Sequence, residues 1–211
     1  MLPYTAGVYF ALLERFNGAL WPLPLVAVLL ALAALALTLY RIRGGDRLIG
    51  ALLVAGWAAG AFFHWRYFAT LHFLAPVYGG LFLLQAILLA WHGPLRNRLQ
   101  FRFRPTRTGR AGLALALAAL AAYPLLDGLG RADWLGLRLA GLAPSPTVLF
   151  TLGLLLLAGP VPRALLVIPV LWALVAGYTA WWLAMPTDLA LPLLAVIAAV
   201  LAGRRKALAP G

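Results

Sequence analysis

The stretch WPLPLVAVLLALAALALTLYRIRGGDR, residues 21–47, decides the fold. Its first twenty residues, Trp21 to Tyr40, carry no charge, and three arginines and one aspartate follow within the next seven. At a rise of about 1.5 Å per residue, about twenty apolar residues in a helix cross the hydrocarbon layer of a membrane. The stretch therefore predicts a membrane-spanning helix that ends in a basic surface segment.

The same pattern of apolar runs and basic segments recurs along the whole chain. Spans are expected at about 21–40, 48–63, 73–91, 111–126, 146–161, 164–183 and 187–202. Before them, residues 3–19 predict a short interfacial helix in which Tyr4, Val8, Leu12 and Phe16 share a face. We therefore expect one all-α domain over residues 1–211, a polytopic membrane bundle of about seven transmembrane helices. The fifth and seventh spans are short, so a re-entrant segment stays open for both.

The composition excludes several classes of protein. Hydrophobic residues make up 64% of the chain and charged residues 10%, with a mean hydropathy of +0.95. A soluble domain has about a quarter of its residues charged, so this chain is not expected to be soluble. Cysteine is absent, which excludes disulfides, thiolate nucleophiles and cysteine-ligated metals. The first basic residue is Arg15, so no secretory signal is expected.

The basic residues predict the orientation. With the N-terminus outside and the C-terminus inside, thirteen of the seventeen basic residues fall in inner segments. The four left outside are Arg15, Arg66, Arg131 and Arg138. This distribution follows the positive-inside rule, so the net charge of +12 indicates membrane orientation and no nucleic-acid partner.

The inner segment LQFRFRPTRTGR, residues 99–110, alternates phenylalanine with arginine. Arginines at an inner membrane surface attract anionic headgroups by about 1 kcal/mol each. We expect membrane lipids to be partners at these inner-face arginine clusters, with Phe101 and Phe103 entering the interface.

The segment AAGAFFHWRYFATLHFLAP, residues 58–76, places His64, Arg66 and His72 at the outer turn between two spans. They serve either as interfacial anchors or as part of a ligand or metal site. The spacing of the two histidines matches no strong metal-binding pattern, so no metal and no cofactor is assigned.

Further candidates come from PSPT, residues 144–147, where Ser145 and Thr147 are good helix-capping types. Helix N-termini beside Arg66 would receive an anionic or polar ligand, although ordinary capping explains the same residues. Asp188 lies at the same face, and Gln85 and Tyr178 lie deeper. The predicted ligand-binding set is His64, Arg66, His72, Ser145, Thr147, Asp188, Gln85 and Tyr178.

Three functions stay open. The first is binding or transport of a small molecule or lipid through a pocket open to the outer face. The second is an outer-face enzyme, metal-dependent or not, that uses His64 and His72 with Asp127 or Asp188, although no catalytic motif assigns an enzyme. The third is an accessory subunit of a membrane complex. A homo-oligomer or another membrane protein stays open as the partner.

The chain also resembles a family of small bacterial inner-membrane proteins of unknown function. The resemblance is carried by MLPYT at the start, Trp21-Pro22, His64 after an aromatic run, PSPTVLFTLGLLLL from Pro144, RALLVIPVLWALV, and Pro186-Thr187-Asp188. It implies a multi-pass protein of the bacterial inner membrane and supports the outer-face cluster, but it implies no activity. The family usually has cysteine where this chain has Ser145 and asparagine where it has His72.

Overall fold

The computed structural model describes residues 3–40, 42–129 and 133–207, without the side chains of 205–207, and this part of the chain is an all-α bundle. Its helices are α1 (Ala6–Ala19), α2 (Leu23–Tyr40), α3 (Gly45–Arg66), α4 (Ala75–Ala90), α5 (Arg107–Leu117), α6 (Tyr123–Gly128), α7 (Pro144–Leu157), α8 (Ala164–Leu183), α9 (Pro186–Leu189) and α10 (Leu191–Ala207). A π-helical turn at Trp91–Leu95 extends α4, and a second one at Ala118–Ala122 joins α5 to α6.

Six helical stretches of the described chain are long and apolar enough to cross a membrane. They are Leu23–Tyr40, Gly45–Thr70, Ala75–Leu95, Arg107–Gly128, Ala164–Leu183 and Pro186–Arg204. The chain is therefore a multi-pass membrane protein by helix length and composition. We call the end of the bundle where α3 ends and α7 begins the His64 end, and the opposite end the Asp46 end.

Helix α7 forms the centre of the bundle. All fourteen of its residues are buried, and it packs against α3, α5, α8 and α10. Its length of about 21 Å is shorter than the hydrocarbon layer of about 30 Å. A helix that is apolar all round and buried belongs to the core, so α7 is a core helix with the longer helices around it.

Glycines allow α7 to approach α5 closely. A Cβ atom added at Gly153 of α7 would lie 2.6 Å from the backbone nitrogen of Ala116 and 2.8 Å from the backbone oxygen of Gly112. Small residues at helix contacts let two backbones come together in membrane proteins. Gly112 and Gly153 therefore set the distance between these two helices.

Gln85 links α4 to α8 at a point where a proline breaks the hydrogen-bond pattern of α8. Pro169 has no N–H group, so the Leu165 carbonyl four residues earlier loses its usual helical donor. The side-chain nitrogen of Gln85, which is fully buried, donates to this carbonyl at 3.0 Å. A side chain of α4 thus replaces a missing backbone donor of α8.

At the Asp46 end, an extended segment closes the bundle beneath α7. Phe101 pairs with Ala158 in an antiparallel bridge, and its N–H donates to Asp46 Oδ1 at 2.7 Å. Phe101 is buried, which corrects the expectation that it enters the lipid interface; Phe103 is half-buried. Among the basic residues used for the orientation, Arg41, Arg131 and the side chains of Arg205 and Lys206 lie outside the described residues.

Helix α1 packs on the His64 end. Phe16 contacts the ring of Phe63 in α3 with 5.1 Å between centroids. The buried residues of α1 are Phe10, Leu13, Phe16 and Asn17. Val8 is 44% exposed, so the buried face of α1 is rotated from the face that the sequence predicted.

Candidate functional site

A buried ion network lies at the His64 end, where segments distant in sequence meet. The Arg138 guanidinium donates to both carboxylate oxygens of Asp127, at 2.8 Å from Nε and 2.6 Å from Nη2. Its Nη1 lies 2.9 Å from Asp188 Oδ1, and Nη2 also donates to the Thr187 hydroxyl. Arg138 is 1% exposed, so both ion pairs are shielded from water. A two-pronged arginine–carboxylate contact of this kind fixes geometry as well as charge.

Neighbouring elements hold Arg138 in place. The side-chain nitrogen of Asn17 in α1 donates to the carbonyls of Leu135 and Leu137, at 2.6 and 3.1 Å, and so fixes the segment just before Arg138. The Arg138 guanidinium also lies over the Tyr123 ring, 4.9 Å from its centroid. The arginine is therefore fixed from two sides.

The charge of Arg138 is secured by its partners. Burial alone would lower the pKa of the guanidinium, but the hydrogen bonds with Asp127 and the charge of Asp188 raise it above its ordinary value. Arg138 is thus permanently charged.

Ser145 connects this network to α7. Its hydroxyl donates to Asp188 Oδ2 at 2.9 Å. Pro144 and Pro146 on either side have no N–H group, so the buried start of α7 carries fewer backbone donors that need a partner. The sequence PSPT thereby suits a helix that begins inside the protein.

A small cavity of about 40 Å³ lies beside the network. His64, His72, Ser145 and Asp188 line it together with aromatic side chains. The aromatic residues of its wall are Tyr4, Tyr9, Phe63, Phe68, Tyr78 and Trp172. This volume holds a few water molecules or a molecule of a few non-hydrogen atoms.

His64 is the most buried of the polar side chains that line this cavity. Its Nδ1 lies 2.6 Å from the Gly60 carbonyl one turn earlier in α3, so Nδ1 carries the proton that this bond needs. In that tautomer the other ring nitrogen, Nε2, is a hydrogen-bond acceptor.

His72 has the opposite arrangement. Its Nδ1 accepts a hydrogen bond from the backbone N–H of Leu74 at 3.2 Å, so the proton of the neutral ring is on Nε2. Burial lowers the pKa of His72, which keeps the ring neutral at pH 7. The two histidines therefore offer one acceptor and one donor.

A further donor comes from Trp172. Its indole N–H is buried and has no hydrogen-bond partner among the described residues, and the residue lines the cavity. Buried polar groups in native proteins usually find a partner, in water if not in protein. The cavity is therefore suited to a molecule that can both donate and accept.

The structure brings four of the eight predicted site residues to the cavity: His64, His72, Ser145 and Asp188. Arg66 is exposed and lies beside the Tyr67 ring, away from the cavity. Tyr178 is 64% exposed on the outside of α8. Neither residue joins the other four.

The two remaining predicted residues make structural hydrogen bonds elsewhere. The Thr147 hydroxyl donates to the Ala143 carbonyl at 2.6 Å and accepts from the Gly141 N–H at 2.8 Å, which secures the start of α7. Gln85 bonds to the Leu165 carbonyl, as described above.

Sequence reasoning missed Arg138 as a site residue and named Asp127 only for the enzyme alternative, because it placed both in an outer surface segment. Both are in fact buried, which corrects that expectation. A signal was available in LGLRLAGLAP, residues 135–144, where Arg138 is the only charged residue of ten. A lone arginine in an apolar run is usually buried with an acidic partner.

This arrangement changes the expected ligand charge. Arg66 lies elsewhere, and Arg138 already faces two carboxylates, so no described cavity residue offers an unpaired positive charge to an anion. Within residues 3–40, 42–129 and 133–207, no group of three or more histidine, aspartate or glutamate side chains is placed to hold a metal. The site is built for hydrogen bonding next to a carboxylate.

Comparison with known proteins gives one result. The model of a family described as a family of unknown function (DUF6064) matches residues 6–209. No curated protein and no solved structure matches the chain. The match confirms the resemblance to a family of unknown function that the sequence indicated.

Proposed function

Because the chain belongs to this family of unknown function, DUF6064, over residues 6–209, we propose a function from the site itself. The protein is a multi-pass protein of the bacterial inner membrane that binds a small polar molecule in the cavity at the His64 end. By the positive-inside rule this end faces outward. One observation carries the proposal: His64, His72, Ser145 and Asp188 meet in one aromatic-walled cavity of about 40 Å³.

The hydrogen-bonding groups favour a neutral or cationic molecule. His64 offers an acceptor, His72 and Trp172 offer donors, and the Asp188 carboxyl group lies in the lining, 2.9 Å from Arg138. A cation would lie beside the Asp188 carboxyl group and against the aromatic rings of the wall. An anion would meet no unpaired positive charge among the described lining residues, and burying it there would be costly.

Binding from one side is favoured over passage through the membrane. Directly below the cavity, Trp57 and Phe82 are fully buried with 4.6 Å between their ring centroids. The Trp57 indole N–H donates to the Thr151 hydroxyl at 2.9 Å, which fixes this layer to α7. A ligand would therefore enter and leave the cavity at the His64 end, without crossing this layer.

Native mass spectrometry of the protein, purified in a mild detergent, tests the proposal. We expect a bound small molecule on the wild type that is lost in His64→Leu and retained in Arg66→Leu. The second variant lies in the same hairpin but outside the cavity, so it controls for the loss of a polar side chain. Thermal unfolding of both variants checks that they are folded.

A ligand-free mass for the wild type and both variants would overturn the proposal. A ligand-free mass together with a co-purifying membrane protein would favour the accessory-subunit alternative instead. Turnover of the bound molecule, lost in His64→Leu, would favour the enzyme.

A further inference from the structure

A second and larger cavity opens at the Asp46 end, on the opposite side of the bundle from the proposed site. Its volume is about 510 Å³, and its polar lining residues are Asp46, Gln100, Arg102, Arg104, Thr106 and Thr108. The turn that follows α7 forms its far wall. We call this cavity the Asp46-end cleft.

The arginines of the cleft stand on a rigid extended segment. The Arg102 N–H donates to the Leu157 carbonyl at 2.9 Å, and the Gly159 N–H donates to the Gln100 carbonyl at 3.0 Å. On the far side of this pairing, the Phe103 N–H donates to the Thr38 carbonyl at 3.0 Å. Helices α2 and α7 thereby hold the segment, and Asp46 of α3 holds it through the Phe101 N–H, so its position does not depend on its arginine side chains.

Buried and exposed side chains alternate along this segment. In an extended chain, successive side chains point to opposite faces. Leu99 and Phe101 are buried, at 1% and 3% exposure, whereas Arg102 and Arg104 are exposed. Both arginines therefore lie on the same side, about 7 Å apart along the backbone.

The charge of the cleft is unbalanced. The ion pairs found among the described residues all belong to Arg138, so neither Arg102 nor Arg104 has an acidic partner there. One oxygen of Asp46, the acidic residue in the lining, already accepts the Phe101 N–H. Two arginines against one engaged carboxylate leave a net positive cleft.

We propose that the Asp46-end cleft binds a phosphate group through Arg102 and Arg104. Guanidinium groups suit phosphate because their planar N–H donors match its oxygens. The cleft lies at the end of the membrane-spanning helices, at the level of the headgroups, so the phosphate is that of an anionic phospholipid. A soluble phosphorylated molecule is the other source of the same chemistry.

Titration of the full-length protein in detergent tests this site, with native mass spectrometry as the readout. The probes are dioctanoyl phosphatidylglycerol, dioctanoyl phosphatidylcholine and inorganic phosphate. We expect Arg102→Gln/Arg104→Gln to weaken phosphatidylglycerol binding about tenfold or more, since each arginine contributes about a factor of five at a charged surface. The matched control is Arg98→Gln/Arg163→Gln, which removes two exposed arginines that do not line the cleft.

Each outcome has a distinct meaning. Loss of binding in the cleft variant alone supports the site, and binding of inorganic phosphate with the same dependence assigns it to a soluble ligand. Equal loss in both double variants would overturn the proposal, because attraction would then follow total charge. Equal binding of the two lipids in all three proteins would overturn it as well.

Discussion

At the scale of single residues, Arg138 is the centre of the site, because its guanidinium pairs with both Asp127 and Asp188. His64, His72, Ser145 and Asp188 could be predicted because polar residues are conspicuous in an apolar chain. Arg138 could not be placed with them, because the positive-inside rule counts a basic residue without locating its side chain. Arg66 was grouped with the histidines by nearness in sequence, yet it follows His64 by two positions and so projects from another side of α3.

The hydrogen bond from Gln85 to the Leu165 carbonyl leads to a prediction about single residues. In Pro169→Ala, the restored backbone N–H can donate to Leu165, so the Gln85 donor is no longer needed. We expect Gln85→Leu to cost about 1 kcal/mol more stability in the wild type than in the Pro169→Ala background.

Unfolding of the four proteins in detergent would measure this difference. The Gln85 Oε1 atom, which has no described partner, is removed in both backgrounds. Its removal therefore contributes equally to both stability costs and cancels in their difference. An equal cost in the two backgrounds would show that Gln85 does not substitute for the missing helical donor.

At the scale of helices, the tight contact between α5 and α7 gives the next prediction. Gly153→Ala forces the two backbones apart, and we expect it to lower the free energy of unfolding by about 1–3 kcal/mol. The control is Gly80→Ala in α4, because no atom lies within 4 Å of a Cβ added there. Thermal unfolding in detergent should separate the two variants, and equal melting temperatures would contradict the close packing of α5 and α7.

The helical content of the fold could be predicted from hydropathy, since long apolar runs require helices in a membrane. The central position of α7 could not, because a helix facing lipid and a helix facing other helices are equally apolar. The sequence did show that this span, predicted at 146–161, was short. Length alone left a re-entrant segment open, and the burial of every residue identifies a core helix.

At the scale of the whole molecule, we predict its orientation in the membrane. If the His64 end faces outward, a cysteine at Thr70 should react with a membrane-impermeant maleimide in intact cells. A cysteine at Gln100, near the Asp46 end, should react only after the cells are permeabilised. Both positions are exposed, and the natural chain has no cysteine to interfere. The reverse labelling pattern would show that the protein has the opposite orientation, with the proposed binding site on the cytoplasmic side.

The closure of α7 at both ends has a consequence for biosynthesis. The ribosome makes residues 99–103 before their partners at 157–159, and Arg138 before Asp188. Until those later segments emerge, Arg138 has only Asp127 as an ion-pair partner. Residues 99–103 likewise cannot yet pair with the end of α7. The two ends of the bundle are therefore completed only after residues 157–159 and then Asp188 have left the ribosome.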